Sequence, residues 1–381
     1  MKLTLSLALS ALILLLAALL ARRYDARLAL AANEPHRSSY TPASSTARHD
    51  SRNDPAQAAA ALFADLLANL DDPDLAERLL TLSSAESEAL LHLLLDAFSD
   101  GSLPGAVEDP DSLLYLPLSI LAYHRPARAL ELLPRFLEST SEPNRRMLGT
   151  GILTEALVAW GSQDPSSALA WFQRHHTDFD SLIPEKTRLS FLAAIAFKDP
   201  ALAFQVIDRI GIGNIAVAIS SIVRTAADPR KRTQTLHLLR SHTAALPGQP
   251  EILDAAIETL AKDAFNDGFS SASRWAAENL QGEELTRFST AIRSRIPSSG
   301  EAPDWILWQH QHLPSETASA NIRQIVADWT LADFHSAGQW LLSAPPGAAR
   351  DIASQAYLET VTPYLSTQPS LAPILSQLQN P

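Results

Sequence analysis

The chain has 381 residues, of which 46% are hydrophobic and none is cysteine, so disulfides, thiolate metal sites, a cysteine nucleophile and a lipid-modified cysteine are excluded. Ala and Leu dominate over β-branched and aromatic residues, and because they lose little side-chain freedom in a helix, this composition predicts an all-α fold. The formal net charge is −12; residues 1–55 hold seven basic and four acidic side chains, so residues 56–381 carry −15, which argues against a nucleic-acid partner.

The N-terminus carries an uncharged, mostly apolar run from Leu3 to Ala21, with Arg22 directly after it. Its length is close to the roughly 20 residues that span a bilayer as a helix, so residues 1–21 are predicted to be a hydrophobic signal anchor. A cleaved signal peptide and a buried core helix are the alternatives, and "LALAAN" at 28–33 has the small residues of a cleavage site. We expect the inner membrane as location, with the following domain in the periplasm, or secretion to the periplasm after cleavage.

Residues 22–55 are predicted to be a disordered polar linker. The stretch "NEPHRSSYTPASSTARHDSRNDP", residues 33–55, has no apolar periodicity, and such a segment buries too little surface to offset the entropy of ordering it. The folded domain is therefore expected to comprise residues 56–381.

Two segments of that domain share the pattern W-x-x-x-D-x-x-S-A-x-x-W, from Trp160 to Trp171 and from Trp329 to Trp340. In the first copy Asp164 precedes a proline, a combination that predicts a helix N-cap followed by the first helical residue. The tryptophan before the Asp then ends one helix. The Ala and the second tryptophan share a face of the next helix, where a small Ala allows close packing.

Weaker copies of the pattern occur along the chain and are centred on Asp72, Arg125, Asp199, Asp228, Asp267 and the segment "GEAPDWILW" that ends at Trp308. Arg125 replaces the capping Asp, Arg232 stands at the Ala position after Asp228, and the copy at Asp267 fits only with one inserted residue. Apart from a longer first gap, neighbouring copies lie 29 (199 to 228) to 39 (125 to 164) residues apart. Such a period predicts an α-solenoid of stacked antiparallel helix pairs.

The segment "WTLADFHSAGQWLLSAPPGAARD", residues 329–351, resembles a motif "W…DP…A…W…P.G..RD" of uncharacterised bacterial proteins, with Phe334 in place of the proline. In these proteins helical repeats follow an N-terminal hydrophobic segment, and the architecture is similar to tetratricopeptide-like solenoids. The likeness covers roughly residues 120–361. It implies a helical repeat fold and no activity.

Motifs of known chemistry are missing from the sequence: there is no G-x-S-x-G, G-x-x-x-x-G-K-[ST], G-x-G-x-x-G or H-E-x-x-H. Gly211 and Gly213 in "RIGIGN" are predicted to form a turn between helices. The pairs His175/His176 and His310/His312 lack the i, i+4 spacing of helical metal ligands and are interpreted as helix-end residues.

Acid pairs such as Asp71/Asp72, Asp178/Asp180 and Glu283/Glu284 are interpreted as solvated surface residues. The tryptophans at repeat positions are predicted to be core residues. Trp305 alone lies off the pattern, and we expect it to be exposed. No catalytic, cofactor-binding or metal-binding residue is assigned.

These features favour a non-enzymatic scaffold of the bacterial cell envelope, tethered by its N-terminal segment, that binds a protein or peptide. The acidic balance predicts a basic or polar partner and no cofactor. A hydrolase of carbohydrate or peptidoglycan, with carboxylates in a helical groove, is the alternative and predicts two carboxyl groups in one pocket. A structural spacer in the envelope is a third possibility.

Overall fold

The computed structural model describes residues 54–68, 78–79, 81–102, 110–244, 250–364 and 372–379. Within these ranges the protein is helical and has no strand, which confirms the predicted all-α class. The predicted hydrophobic segment 1–21, nearly all of the linker 22–55 and the repeat copy at Asp72 lie outside the described residues. Among the helices that are described, none combines the length and apolar character needed to cross a bilayer.

The chain divides into two compact units, one ending at Gly213 and one beginning at Asn214. The helices of the first unit are α1 (Pro55–Ala68), α2 (Ser84–Asp100), α3 (Pro110–His124), α4 (Pro126–Ser139), α5 (Glu142–Gln163), α6 (Pro165–His175), α7 (Glu185–Lys198) and α8 (Pro200–Ile210). The predicted turn follows α8: Gly211 ends the helix in the left-handed conformation at φ 72°.

The second unit contains α9 (Ile215–Val223), α10 (Pro229–Ala244), α11 (Pro250–Phe265), α12 (Phe269–Asn279), α13 (Glu283–Ile292), α14 (Ala302–His312), α15 (Ser315–Ala332), α16 (Phe334–Ser343), α17 (Ala348–Val361) and α18 (Ala372–Gln379). A 3₁₀ segment, Arg293–Ser298, extends α13.

Consecutive helices form pairs whose first members pack side by side. In the first unit the pairs are α3/α4, α5/α6 and α7/α8, and α5 packs between α3 and α7. In the second unit the pairs are α9/α10, α11/α12 and α15/α16, whereas α13 and α14 are joined through the 3₁₀ segment Arg293–Ser298, which packs on both; α9, α11, α13, α15 and α17 pack in that order. Each repeat copy that the structure describes therefore lies at the junction between two successive helices.

A single residue forms the junction in the clearest copies. Asp164, Asp199 and Asp333 share one backbone conformation, with φ between −153° and −138° and ψ between 83° and 92°. The N–H of Asp164 donates to the carbonyl of Trp160 at 2.8 Å, which closes the first helix. Its carboxylate accepts the N–H of Ser167 at 3.1 Å, which opens the second. The predicted aspartate caps are thus confirmed, and each one serves two helices.

The small residue four positions after the junction is buried in every described copy that keeps it: Ala129, Ala168, Ala203, Ala272 and Ala337 are at most 1% exposed. A methyl group at this position lets the two helices of the pair approach closely. Close approach recurs between neighbouring pairs, because a Cβ added at Gly161 of α5 would lie 3.1 Å from the ring of Phe191 in α7. The seams between helices are therefore set by small side chains.

The tryptophans of the two best copies are less buried than predicted. Trp275 and Trp308 are core residues, at 3% and 6% exposure. Four others are half-buried: Trp160, Trp171, Trp329 and Trp340. In the copy at Asp199 the same two positions hold Ile195 and Val206, which are fully buried. The two tryptophan positions of the repeat therefore lie where helices pack together, and the larger indole ring extends past this contact toward solvent.

The prediction that Trp305 is exposed is wrong, because this side chain is 0% exposed. Glu301 occupies the junction before α14 and accepts the N–H of Trp305 through its carbonyl at 3.2 Å. Trp305 therefore stands four residues after a junction, at the position that Ala fills elsewhere. Its ring packs edge-on against Phe269 of α12, with 5.0 Å between ring centroids.

Candidate binding groove

A groove in the second unit runs along two neighbouring second helices, α10 and α12. Its volume is about 590 Å³, within the range of roughly 300–1,000 Å³ that is typical of ligand sites. The lining residues are Pro229, Arg230 and Thr233 of α10, and Ser270, Ser271, Arg274, Trp275, Glu278 and Asn279 of α12. Because both helices contribute from their first turns onward, the groove follows their axes.

The floor of the groove is a closed hydrogen-bond network. The indole N–H of Trp275 donates to the hydroxyl of Thr233 at 3.1 Å, and that hydroxyl donates to Oδ1 of Asn279 at 2.9 Å. The amide of Asn279 in turn donates to the carbonyl of Trp275 at 2.8 Å. Since these polar groups satisfy one another, the floor is a rigid surface that needs no ligand to complete it.

A buried arginine supports this floor from below. Arg232, at the Ala position of its copy, is 1% exposed, and its guanidinium lies 6.0 Å from the ring centre of Trp275. It forms an ion pair with Asp267 and donates to the carbonyl of Ala227 at 3.3 Å. Burial raises the pKa of nearby Asp263, against the lowering effect of the Arg232 charge. One buried cation thus holds α10 and the end of α11 together.

The ion pair between Arg232 and Asp267 explains why the repeat copy at Asp267 contains one additional residue. Asp267 binds Arg232 and does not cap α12; the N-cap is Gly268, whose φ of 81° is accessible to glycine. Glu301, at the junction of the next pair, supplies the missing cap, because both its carboxylate oxygens accept the N–H of Phe269 at 3.0 Å. The departures from the repeat pattern are therefore coupled across three successive pairs.

The rim of the groove carries charged side chains that, unlike the polar groups of the floor, form no ion pair or side-chain hydrogen bond with a described residue. Neither Arg230 nor Arg274 makes an ion pair or a side-chain hydrogen bond with any described residue, and both side chains are exposed. Glu278 is the single carboxylate of the lining. The groove therefore presents a net positive charge in a domain that carries −15 over residues 56–381.

The histidines singled out in the sequence occupy helix ends. His175 lies in the last turn of α6, contacts Asp178 at 3.2 Å and packs on Trp171 with 5.0 Å between ring centroids. Nδ1 of His312, in the last turn of α14, lies 2.9 Å from the carbonyl of Trp308. Among the described residues, no group of three His, Cys, Asp or Glu side chains is arranged to hold a metal ion.

Two of the acid pairs form ion pairs with neighbouring basic residues. Asp180 accepts a hydrogen bond from Arg188 at 3.0 Å, and Glu284 binds Arg240, whose Nε lies 2.9 Å from Oε1 of the carboxylate. Asp71 and Asp72 lie outside the described residues. Asp180 and Glu284 thus make contacts between neighbouring segments, Asp178 and Glu283 are exposed, and none of the four lines the groove.

One buried carboxyl group in the first unit was not anticipated. Glu155 of α5 accepts the hydroxyl of Tyr115 at 3.0 Å and that of Ser119 at 2.5 Å, both from α3. Burial raises the pKa of Glu155 above its ordinary value, against the effect of these two hydrogen bonds. Burial, together with the Glu155 charge, also raises the pKa of Tyr115. The cluster joins α3 to α5, and none of its residues lines the groove between α10 and α12.

The groove was missed at the sequence level, although one signal pointed to it. "DPRKRTQT" at 228–235 places three basic residues in a row in an acidic domain, and Arg232 breaks the repeat at its most restrictive position. The groove forms only because α12, of the following helix pair, packs against α10 next to these basic residues. The local sequence does not specify this packing. The chain matches no protein-family model, and neither a curated protein nor a solved structure matches it.

Substitution of Asp267 by Ala is expected to lower the free energy of unfolding by about 3 kcal/mol, because it leaves the Arg232 charge buried and uncompensated. The double variant R232M/D267A removes that charge and keeps the volume, so it should recover part of the loss. D254A breaks an ion pair with Arg287, whose side chain is 43% exposed, so that its charge is solvated when unpaired, and should cost at most about 1 kcal/mol. Urea denaturation measures the free energy of unfolding of the three variants. Equal losses of this free energy in D267A and D254A would contradict the assigned role of Arg232.

The raised pKa of Glu155 predicts a pH-dependent stability. Its folded-state pKa lies above the unfolded value, so the protonated group stabilises the fold fully at low pH, and this contribution is lost as pH rises through the folded pKa. The loss amounts to about 1.4 kcal/mol for each unit of pKa difference. E155Q should therefore gain stability relative to the unsubstituted protein as urea denaturation is moved from pH 4 to pH 8. The exposed control E138Q should show no such trend, and a parallel shift of both variants would refute the assignment.

Proposed function

We propose that the protein is a non-enzymatic scaffold of the bacterial cell envelope, built as an α-solenoid of stacked antiparallel helix pairs, that binds a protein or peptide partner. The N-terminal hydrophobic segment, residues 1–21, tethers it to the inner membrane, and residues 22–55 link the tether to the helical domain in the periplasm. If the segment is cleaved, the same domain is released into the periplasm.

The solenoid is supported by the repeated junction and by the packing order of the first helices. Within each unit the first helices of successive pairs pack side by side. Because a single pair cannot bury its own apolar face, such units stack and expose a long side formed by the second helices. The groove lies on that side, along α10 and α12.

The observation that carries the binding function is the contrast between floor and rim. The floor residues Trp275, Thr233 and Asn279 satisfy one another, while Arg230 and Arg274 have no partner among the described residues. A preformed floor lowers the entropic cost of binding, and unpaired polar groups at a rim supply specificity.

The groove gives no support to the hydrolase alternative. General acid–base hydrolysis of a glycosidic bond requires two carboxyl groups at catalytic spacing. Glu278 is the single carboxylate in the lining, and the remaining charged residues there are arginines. We therefore base the proposal on binding. A basic or polar partner remains our expectation for the acidic surface as a whole.

Photo-crosslinking in cells tests this proposal. In the full-length protein, p-benzoylphenylalanine replaces Ser270, which lies at the second position after the junction of α12. The matched control carries it at Ser166, the equivalent position of α6, which is also exposed. We expect a discrete protein adduct from position 270 and none of the same mass from position 166. Identical adduct patterns, or none at position 270, would overturn the assignment of the groove.

A further inference from the structure

We propose that the groove between α10 and α12 takes an extended acidic peptide segment whose carboxylates bind Arg230 and Arg274. This inference rests on the proposed binding function and names the chemistry of the partner. It departs from the partner that the net charge of the domain predicts, because the local charge of the groove is opposite in sign to that of the surrounding domain.

The dimensions of the groove suit a short extended segment. Its lining runs along α12 from Ser270 to Asn279, a distance of about 13 Å at 1.5 Å per helical residue. An extended chain advances roughly 3.3 Å per residue, so about four residues of a peptide lie along this length. The groove is open along the helices, which lets a longer chain enter and leave.

The attraction for anions comes from the two arginine side chains and not from the helix ends. The first turn of α10 is capped by Asp228, whose carboxylate accepts the N–H of Lys231 at 2.9 Å, and that of α12 is capped by Glu301. These acids offset the positive ends of the helix dipoles. Arg230 and Arg274 remain as unpaired guanidinium groups, which bind carboxylates through paired, charge-assisted hydrogen bonds.

The apolar part of the lining predicts apolar side chains between the acidic ones. Pro229 and the largely buried ring of Trp275 are the apolar members of the lining, and the polar side-chain atoms of Thr233 and Asn279 are already paired in the floor network. In an extended peptide alternate side chains point to opposite sides. A segment in which acidic and apolar residues alternate therefore places one kind toward the rim and the other toward the floor or solvent.

Fluorescence anisotropy with the full-length protein in a non-ionic detergent tests the inference. The probes are fluorescein-labelled peptides of one length: Glu-Leu repeats, the isosteric Gln-Leu repeats and Lys-Leu repeats. The double variant R230Q/R274Q removes the rim charges. R146Q/R209Q is the matched control, because it removes two exposed arginines of the first unit that also lack partners among the described residues. E278Q removes the opposing carboxylate.

We expect the Glu-Leu peptide to bind best of the three. Its affinity should be about tenfold lower in R230Q/R274Q, unchanged in R146Q/R209Q and higher in E278Q. The gain in E278Q is a result that misfolding does not produce. Equal losses in the two double variants would overturn the inference, as would equal affinity for the Gln-Leu peptide. Preference for the Lys-Leu peptide would overturn it while leaving the scaffold function intact. No adduct at position 270 together with an intact preference for the Glu-Leu peptide would overturn the groove as the site of a protein partner in cells, and would leave its affinity for acidic peptides standing.

Discussion

The fold depends on a junction that is one residue long. At Asp164, Asp199 and Asp333 the same amino acid ends one helix through its N–H and begins the next through its carboxylate. A junction this short fixes the distance and the direction between the two helices, since it has no further backbone torsions to absorb a change. The buried residue four positions later then meets the first helix at a constant place, and this is why Ala recurs there.

The candidate groove arises where this regular scheme is broken. Arg232 replaces the small residue, Asp267 leaves its capping role to bind Arg232, and Glu301 caps α12 in its place. A buried ion pair contributes little net stability compared with an apolar core, but breaking one is costly. The ion pair therefore links two successive helix pairs, the Glu301 cap links the third, and the Arg232 guanidinium lies 6.0 Å from the ring centre of Trp275 in the floor.

The sequence predicted the features that depend on local chemistry and missed those that depend on packing. The aspartate caps and the buried Ala positions follow from capping preference and helical spacing, and the structure has them at the copies of Asp164, Asp199 and Asp333. The burial of Trp305 was missed because Glu301 was not identified as a junction residue, since Glu is not a usual N-cap. Neither the groove nor the Glu155 cluster was predictable, because each needs side chains from two helices that are 36 to 46 residues apart.

The most direct test of the one-residue junction is a pair of single-alanine insertions within the same repeat, compared by urea denaturation. One insertion, between Ala332 and Asp333, lengthens the junction of α15 and α16; the other, between Pro345 and Pro346, lengthens the exposed loop before α17. The junction insertion should destabilise the protein by several kcal/mol, because it moves the cap and the buried Ala337 out of register, while the loop insertion should cost less than about 1 kcal/mol. Equal tolerance of the two insertions would contradict the account.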